Sequence, residues 1–214
     1  MRHKPFMARR WWACLAGALG LLISMGSAWA DVPASMPMAH GEAPLQGLGG
    51  PLDLTDQKGR PFSLKQLQGQ TVLVFFGFTQ CGNTCPLAMA QARQLLAAFQ
   101  SRKPPAVVFV TLDPLSDGPQ ALSAYLSHFD ARIIGLTGTP PQIEQAARRY
   151  GVATQSAPQG SAQRLEHSSR WYLLDGNLKL SRVYKISTPV ADIAQDIVQA
   201  QTSMAHPIWN REQP

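Results

Sequence analysis

The chain has 214 residues, of which 45% are hydrophobic and 15% charged, with a formal net charge of +6. That length suits one domain of ordinary size plus a leader and tails, and so apolar and lightly charged a composition excludes a wholly disordered chain. Four of the 19 Lys and Arg residues (Arg2, Lys4, Arg9 and Arg10) precede residue 11, which leaves 15 basic against 13 acidic residues, a balance of +2, and no basic run of the kind that grips nucleic acid.

Residues 1–30 read as an export signal. The four cations form its positive end, an uncharged stretch rich in Leu, Ala and Gly follows, and Ala28-Trp29-Ala30 gives an A-x-A cleavage pattern before Asp31. Residues 11–30 are also long enough to span a bilayer, so an uncleaved anchor in the inner membrane is the alternative. Both readings keep the positive end inside and place the rest of the chain in the periplasm. Arg9-Arg10 before Trp11-Trp12 is a weak twin-arginine signal. Cys14 and three of the five tryptophans belong to the leader, so the mature chain keeps only Cys81 and Cys85 as thiols.

Residues 31–48, with Pro33, Pro37, Gly41, Pro44 and Gly47, read as a flexible linker. No internal repeat is visible. A domain is expected over 49–203, followed by a loose tail over 204–214. Leu52–Thr55 and Arg60–Phe62 suggest a short hairpin. Ser63 and Gln66 form a capping-box pattern for a helical turn through Leu67. Thr71–Phe78 is a continuous β-branched and aromatic run, the pattern of a strand buried on both faces. Cys81 and Cys85 follow in a loop, and Pro86 stands where a helix reaching Gln100 would start. Ala106–Leu112 reads as a second buried strand. Asp117 and Pro119 open a helix to about His128, and Ile133–Leu136 is a third strand. Thr139 with Pro140-Pro141 starts a helix ending near Tyr150. Arg170–Leu174 and Leu178–Tyr184 form a hairpin across Asp175-Gly176-Asn177, and Thr188-Pro189 opens a last helix with Asp192 in its first turn. Alternating strands and helices imply an α/β fold with a central, largely parallel sheet covered on both faces. The strand–cysteines–helix order, closed by a hairpin and helix, is a thioredoxin-like plan with an N-terminal hairpin extension.

The cysteine loop follows the carboxyl end of a buried strand, where open α/β sheets bind ligands. It precedes a helix N-terminus, which favours a thiolate. Three chemistries fit Cys81 and Cys85. A structural disulfide would close so short a loop that it removes little chain entropy. A dithiol–disulfide oxidoreductase usually has two residues between its cysteines, and here there are three. A soft-metal site for Cu(I) or Zn suits two thiolates and calls for a further ligand. Of the mature chain's histidines, His40 falls in the linker and His206 in the tail. His128 sits at a helix end, where it would bond the last carbonyls. His167 lies in a polar loop before a strand expected to neighbour the one that feeds the cysteines, so that loop could overhang them.

These residues resemble the Sco/SenC family of copper chaperones, from about Gly50 to the last helix. The resemblance is carried by Gly77–Pro86, by Thr111–Pro119 with Leu122 and Tyr125, by Ile134–Thr139, and by Glu166-His167-Ser168-Ser169 with Tyr172–Asp175. It implies an extracytoplasmic protein that binds copper through Cys81, Cys85 and His167 and helps mature the binuclear copper site of cytochrome c oxidase. The partner it implies is the oxidase's copper-accepting subunit or another periplasmic copper protein. The chain departs from the family pattern at Gly82-Asn83, where Pro-Asp is usual, and at Glu166, where Asp is common. Its leader looks cleavable, whereas family members are often anchored.

The alternative function is a periplasmic thiol–disulfide reductase acting on a copper protein's cysteines, with Cys81 and Cys85 as the redox pair. Redox-active thioredoxin folds commonly carry a cis-proline facing the cysteines, yet no proline occurs between Gln159 and Thr188. A thiol peroxidase is a third class, supported by nothing beyond the fold. Asp113 and Asp117 flank the end of the second strand. Turn formation and capping is the preferred reading, and support of the site the other. Met36, Met38 and His40 could hold copper, or could be chance members of a flexible segment, and Met204 with His206 echoes them. Met89 reads as core on a helix face.

Overall fold

The computed structural model describes residues 47–99, 102–152 and 169–205. The expected signal or anchor over 1–30, nearly all of the linker, the Met36-Met38-His40 group, His167 with Glu166, and His206 lie outside the described residues. Among the described residues no helix is long and apolar enough to cross a membrane.

The order of elements matches the expected plan: β1 (Asp53–Asp56), β2 (Pro61–Ser63), β3 (Val72–Gly77), α1 (Thr84–Ala98), β4 (Ala106–Thr111), α2 (Pro119–Ser127), β5 (Ile134–Thr137), α3 (Pro140–Arg149), β6 (Arg170–Leu174), β7 (Leu180–Lys185) and α4 (Val190–Ala205). A 3-10 turn over Leu64–Leu67 follows β2, but the Ser63 side chain makes no capping bond to it. The seven strands form one sheet in the order β2-β1-β5-β4-β3-β6-β7. β3, β4 and β5 are parallel neighbours; β6 runs antiparallel to β3, with Phe75 opposite Trp171.

Every residue of β3 is buried, as the unbroken apolar run required. Its side chains alternate between two cores. Val72, Val74 and Phe76 face the layer that contains Leu52, Phe62 and Ile143 of α3. Leu73 and Phe75 face the layer that contains α1, α2 and α4 through Ala88, Leu122 and Ile193. The chain steps β3→β4→β5 with α1 and α2 on one face, then crosses the other face through α3 and returns on the far side of β3. The β3–α1–β4 and β4–α2–β5 connections join parallel neighbours, for which one handedness of crossover puts both helices on the same face, and β3 becomes the strand where the direction of winding reverses.

Three local expectations are corrected. Helix α1 starts at Thr84, two residues before Pro86. Pro86 is therefore its third residue, a position whose amide has no helical acceptor in any case, so the proline costs no hydrogen bond there. Helix α2 is preceded by Gly118, and no side chain caps it; Asp117 is not its cap. The β6–β7 turn is longer than three residues. Asp175 accepts the amides of Asn177 and Lys179, Leu178 takes a positive φ of 62°, and β7 begins at Leu180.

Candidate metal centre

The cysteine loop joins the carboxyl end of β3 to α1. Cys81 and Cys85 are not joined by a disulfide. Cys85, in the first turn of α1, is fully buried; Cys81, just before the helix, is partly exposed. The Cys85 amide donates to the Cys81 sulfur at 3.4 Å, and the Cys85 thiol hydrogen-bonds the same sulfur. Asn83 precedes the helix without a side-chain capping bond, and the Cys81 sulfur takes up one of the amides of the first turn, that of Cys85.

The two thiols are pushed in opposite directions. Burial raises the Cys81 thiol, but hydrogen bonds from Cys85, Asn83 and Thr84 outweigh it and bring it below the usual thiol range. Burial holds Cys85 far above that range. The Phe78 amide works against this, and the charges of Cys81 and Asp117 reinforce it.

Two residues fix the pair from beneath. Gly77 ends β3, and a Cβ there would fall 2.7 Å from the Cys85 sulfur and 3.0 Å from the rings of Phe75 and Phe109. Any side chain would evict the sulfur from its place against the strand. Asp117, fully buried, accepts the Thr79 amide at 2.9 Å, the Thr79 hydroxyl at 2.5 Å and the Thr111 hydroxyl at 2.7 Å. It thereby ties the start of the cysteine loop to the end of β4. Its bonds go to the cysteine loop and to β4, not to a helix cap. Asp113 keeps the turn role: its carboxylate accepts the Ser116 amide, and its carbonyl the Asp117 amide.

Gln91, unremarked in the sequence, anchors α1. It accepts the Trp171 indole N–H at 2.7 Å and donates to the Thr188 carbonyl at 2.6 Å, joining the helix to β6 and to the segment before α4. Met89 is core, as expected. The His128 ring donates to the Ala124 carbonyl at 2.8 Å and so closes α2.

Among the described residues no group of three His, Cys, Asp or Glu side chains is placed to hold a metal. Two soft sulfurs converge, and a third ligand would have to come from elsewhere in the chain. The described structure resumes at Ser169, two residues after His167, and β6 starts at the end of the sheet from which β3 feeds the cysteines.

A thioredoxin-like sheet with a C-x-x-x-C thiol pair at the carboxyl end of its reversal strand defines a class of thiol-based redox and soft-metal proteins. Comparison with known proteins narrows it: the SCO1/SenC family profile matches residues 41–202, and the chain belongs to that family. It is 33% identical over 186 residues to an SCO2-like protein of Rickettsia conorii, covering 80% of this chain and 89% of the relative. Its fold is similar to that of copper-bound ScoI from Bradyrhizobium japonicum, with a TM-score of 0.65 and 29% identity over 72% of this chain and 99% of the other. It is likewise similar to BsSco, a member of the Sco family of cytochrome c oxidase assembly proteins in which a disulfide switch was identified. There the TM-score is 0.64 and the identity 27%, over 76% and 98% of the two chains.

Proposed function

We propose that this chain is a copper metallochaperone that carries copper on Cys81, Cys85 and His167 and delivers it during cytochrome c oxidase assembly. The observation that carries the reading is the convergence of two thiols, not joined by a disulfide, at the carboxyl end of β3, with the outer sulfur accepting the Cys85 amide in the first turn of α1. Soft thiolates select Cu(I), and imidazole is a compatible third donor. His167 is three residues from Arg170, where β6 begins, so at most about 10 Å of chain links it to the end of the sheet that bears the cysteines. Similarity to copper-bound ScoI and to an oxidase assembly protein supports both the cargo and the process. The acceptor is a copper protein, and the oxidase's copper-accepting subunit is the one we favour. Residues 1–30 export the chain to the periplasm, with cleavage after Ala30 in preference to anchoring through 11–30. Residues 31–48 act as the linker and 204–214 as a tail.

The test is anaerobic Cu(I) titration of the reduced mature protein against a competing chelator, beside Cys81→Ser/Cys85→Ser and His167→Ala. One Cu(I) per chain is expected. Binding should be abolished in the double variant without unfolding and weakened in the histidine variant, with loss of its thiolate-to-Cu(II) absorption band. Full affinity and spectrum in His167→Ala would remove that residue from the site. An absence of tight binding in the wild type would move the pair to thiol–disulfide chemistry.

A further inference from the structure

Tyr125 lies on α2, and its hydroxyl is buried with no hydrogen-bond partner. Buried phenols normally find one, because a donor stripped of water and given nothing in return is destabilising. Tyr150 and Tyr184 follow that rule, donating to the Gly50 carbonyl and the Asp196 carboxylate at 3.0 Å each. The surroundings of Tyr125 indicate what its hydroxyl awaits. Its ring packs on Phe109 and Phe129 at centroid distances of 5.9 and 5.2 Å. Phe109 and the Cys85 sulfur both border Gly77, 3.0 and 2.7 Å from where a Cβ on that residue would stand. Cys85 and Phe109 belong to one core cluster, and Cys81 and Tyr125 are partly buried residues packed against it. Apart from burial, the influences on the phenol are the charges of Cys85, Cys81 and Asp117.

We propose that Tyr125 is a positioning residue of the copper site, its hydroxyl donating a hydrogen bond to a cysteine sulfur once copper is bound. This rests on the copper reading above. In the unloaded protein the Cys81 sulfur already accepts the Cys85 amide, and the phenol is left unpaired. Copper takes both cysteines as thiolates, and a negatively charged sulfur is a far better acceptor. The hydroxyl thus stabilises only the loaded state. By withdrawing electron density from sulfur, it favours Cu(I) over Cu(II) and raises the energy of sulfur-to-Cu(II) charge transfer.

The experiment compares wild type, Tyr125→Phe and, as control, Tyr150→Phe, whose lost bond to Gly50 lies outside the site. Tyr125→Phe should bind Cu(I) about tenfold more weakly, move the charge-transfer band to longer wavelength and lower the copper reduction potential. Its metal-free thermal midpoint should not fall, since the change deletes an unpaired donor. Tyr150→Phe should keep the wild-type band and Cu(I) affinity. Equal band positions and affinities in wild type and Tyr125→Phe would overturn the proposal and leave the copper reading standing. A wild type that binds no copper would overturn that reading and this proposal with it. Should Tyr125→Phe fail to fold, the Cζ resonance of Tyr125 in the wild type decides: a shift on adding Cu(I) is expected, and none would overturn the proposal.

Discussion

Cys81 and Cys85 are four residues apart but differ in access and in acidity. A thiol lowered below its ordinary range presents thiolate at lower pH, and thiolate is the species that alkylates. Cys81 meets both requirements, being partly exposed and lowered; Cys85 meets neither. In the reduced, metal-free protein, iodoacetamide should therefore modify Cys81 first. As pH rises, its rate should climb with a midpoint below that of the same cysteine in the unfolded chain, while Cys85 stays unmodified until the protein is unfolded. Peptide mass spectrometry across a pH series checks this, and equal labelling of both thiols would contradict it. Gly77 belongs to the same scale. Gly77→Ala puts a methyl on the Cys85 sulfur and on two aromatic rings, an overpacking that should cost about 1–3 kcal/mol in a urea melt and weaken Cu(I) binding. The pair and its spacing were legible in the sequence. The need for glycine at 77 was not, because it arises where a residue of the next helix lands on the strand.

Secondary structure brings these residues together through a few polar ties. Asp117 is the densest, joining the segment after β3 to the end of β4. Asp117→Ala would leave the Thr79 amide and two hydroxyls without their acceptor. The expected cost is about 2–4 kcal/mol in denaturant midpoint analysis, with weaker copper binding as the cysteine loop loosens. Asp117→Asn should recover part of the stability, since one carbonyl oxygen remains. If Asp117→Ala were as stable as wild type, the tie would be energetically idle. The sequence suggested a helix cap here because Asp117 and Pro119 form a familiar local pattern. The real partner, Thr79, is 38 residues away, beyond the reach of local reasoning. The start of α1 was misjudged for a related reason: Pro86 marks a first turn, but the helix begins two residues earlier, at Thr84, and the Cys81 sulfur accepts the Cys85 amide within that turn. The strands were legible throughout. Unbroken buried runs such as Val72–Gly77 have few other ways to fold, and the alternation of strand with helix fixed the layering.

The whole molecule places its thiols where the winding of the sheet reverses, and the described domain closes on itself at its N-terminal edge. The Gly49 amide donates to the Arg149 carbonyl at 2.7 Å, the Arg149 guanidinium to Pro51 at 2.8 Å, and the Tyr150 hydroxyl to Gly50 at 3.0 Å. Leu52 is buried in the core next to them. Residues 49–52 are thus tied to the end of α3 and to the core. A fragment of residues 47–214 should match one of residues 31–214 in denaturant midpoint and in Cu(I) bound, one per chain. Starting instead at residue 53 removes Leu52 and the three bonds, and should cost about 3 kcal/mol or more. The same pair of longer fragments tests Met36, Met38 and His40. If they are chance members of a linker, both fragments titrate identically. A second, weaker Cu(I) equivalent present in 31–214 and absent from 47–214 would assign them a copper-binding role of their own, upstream of the cysteine pair.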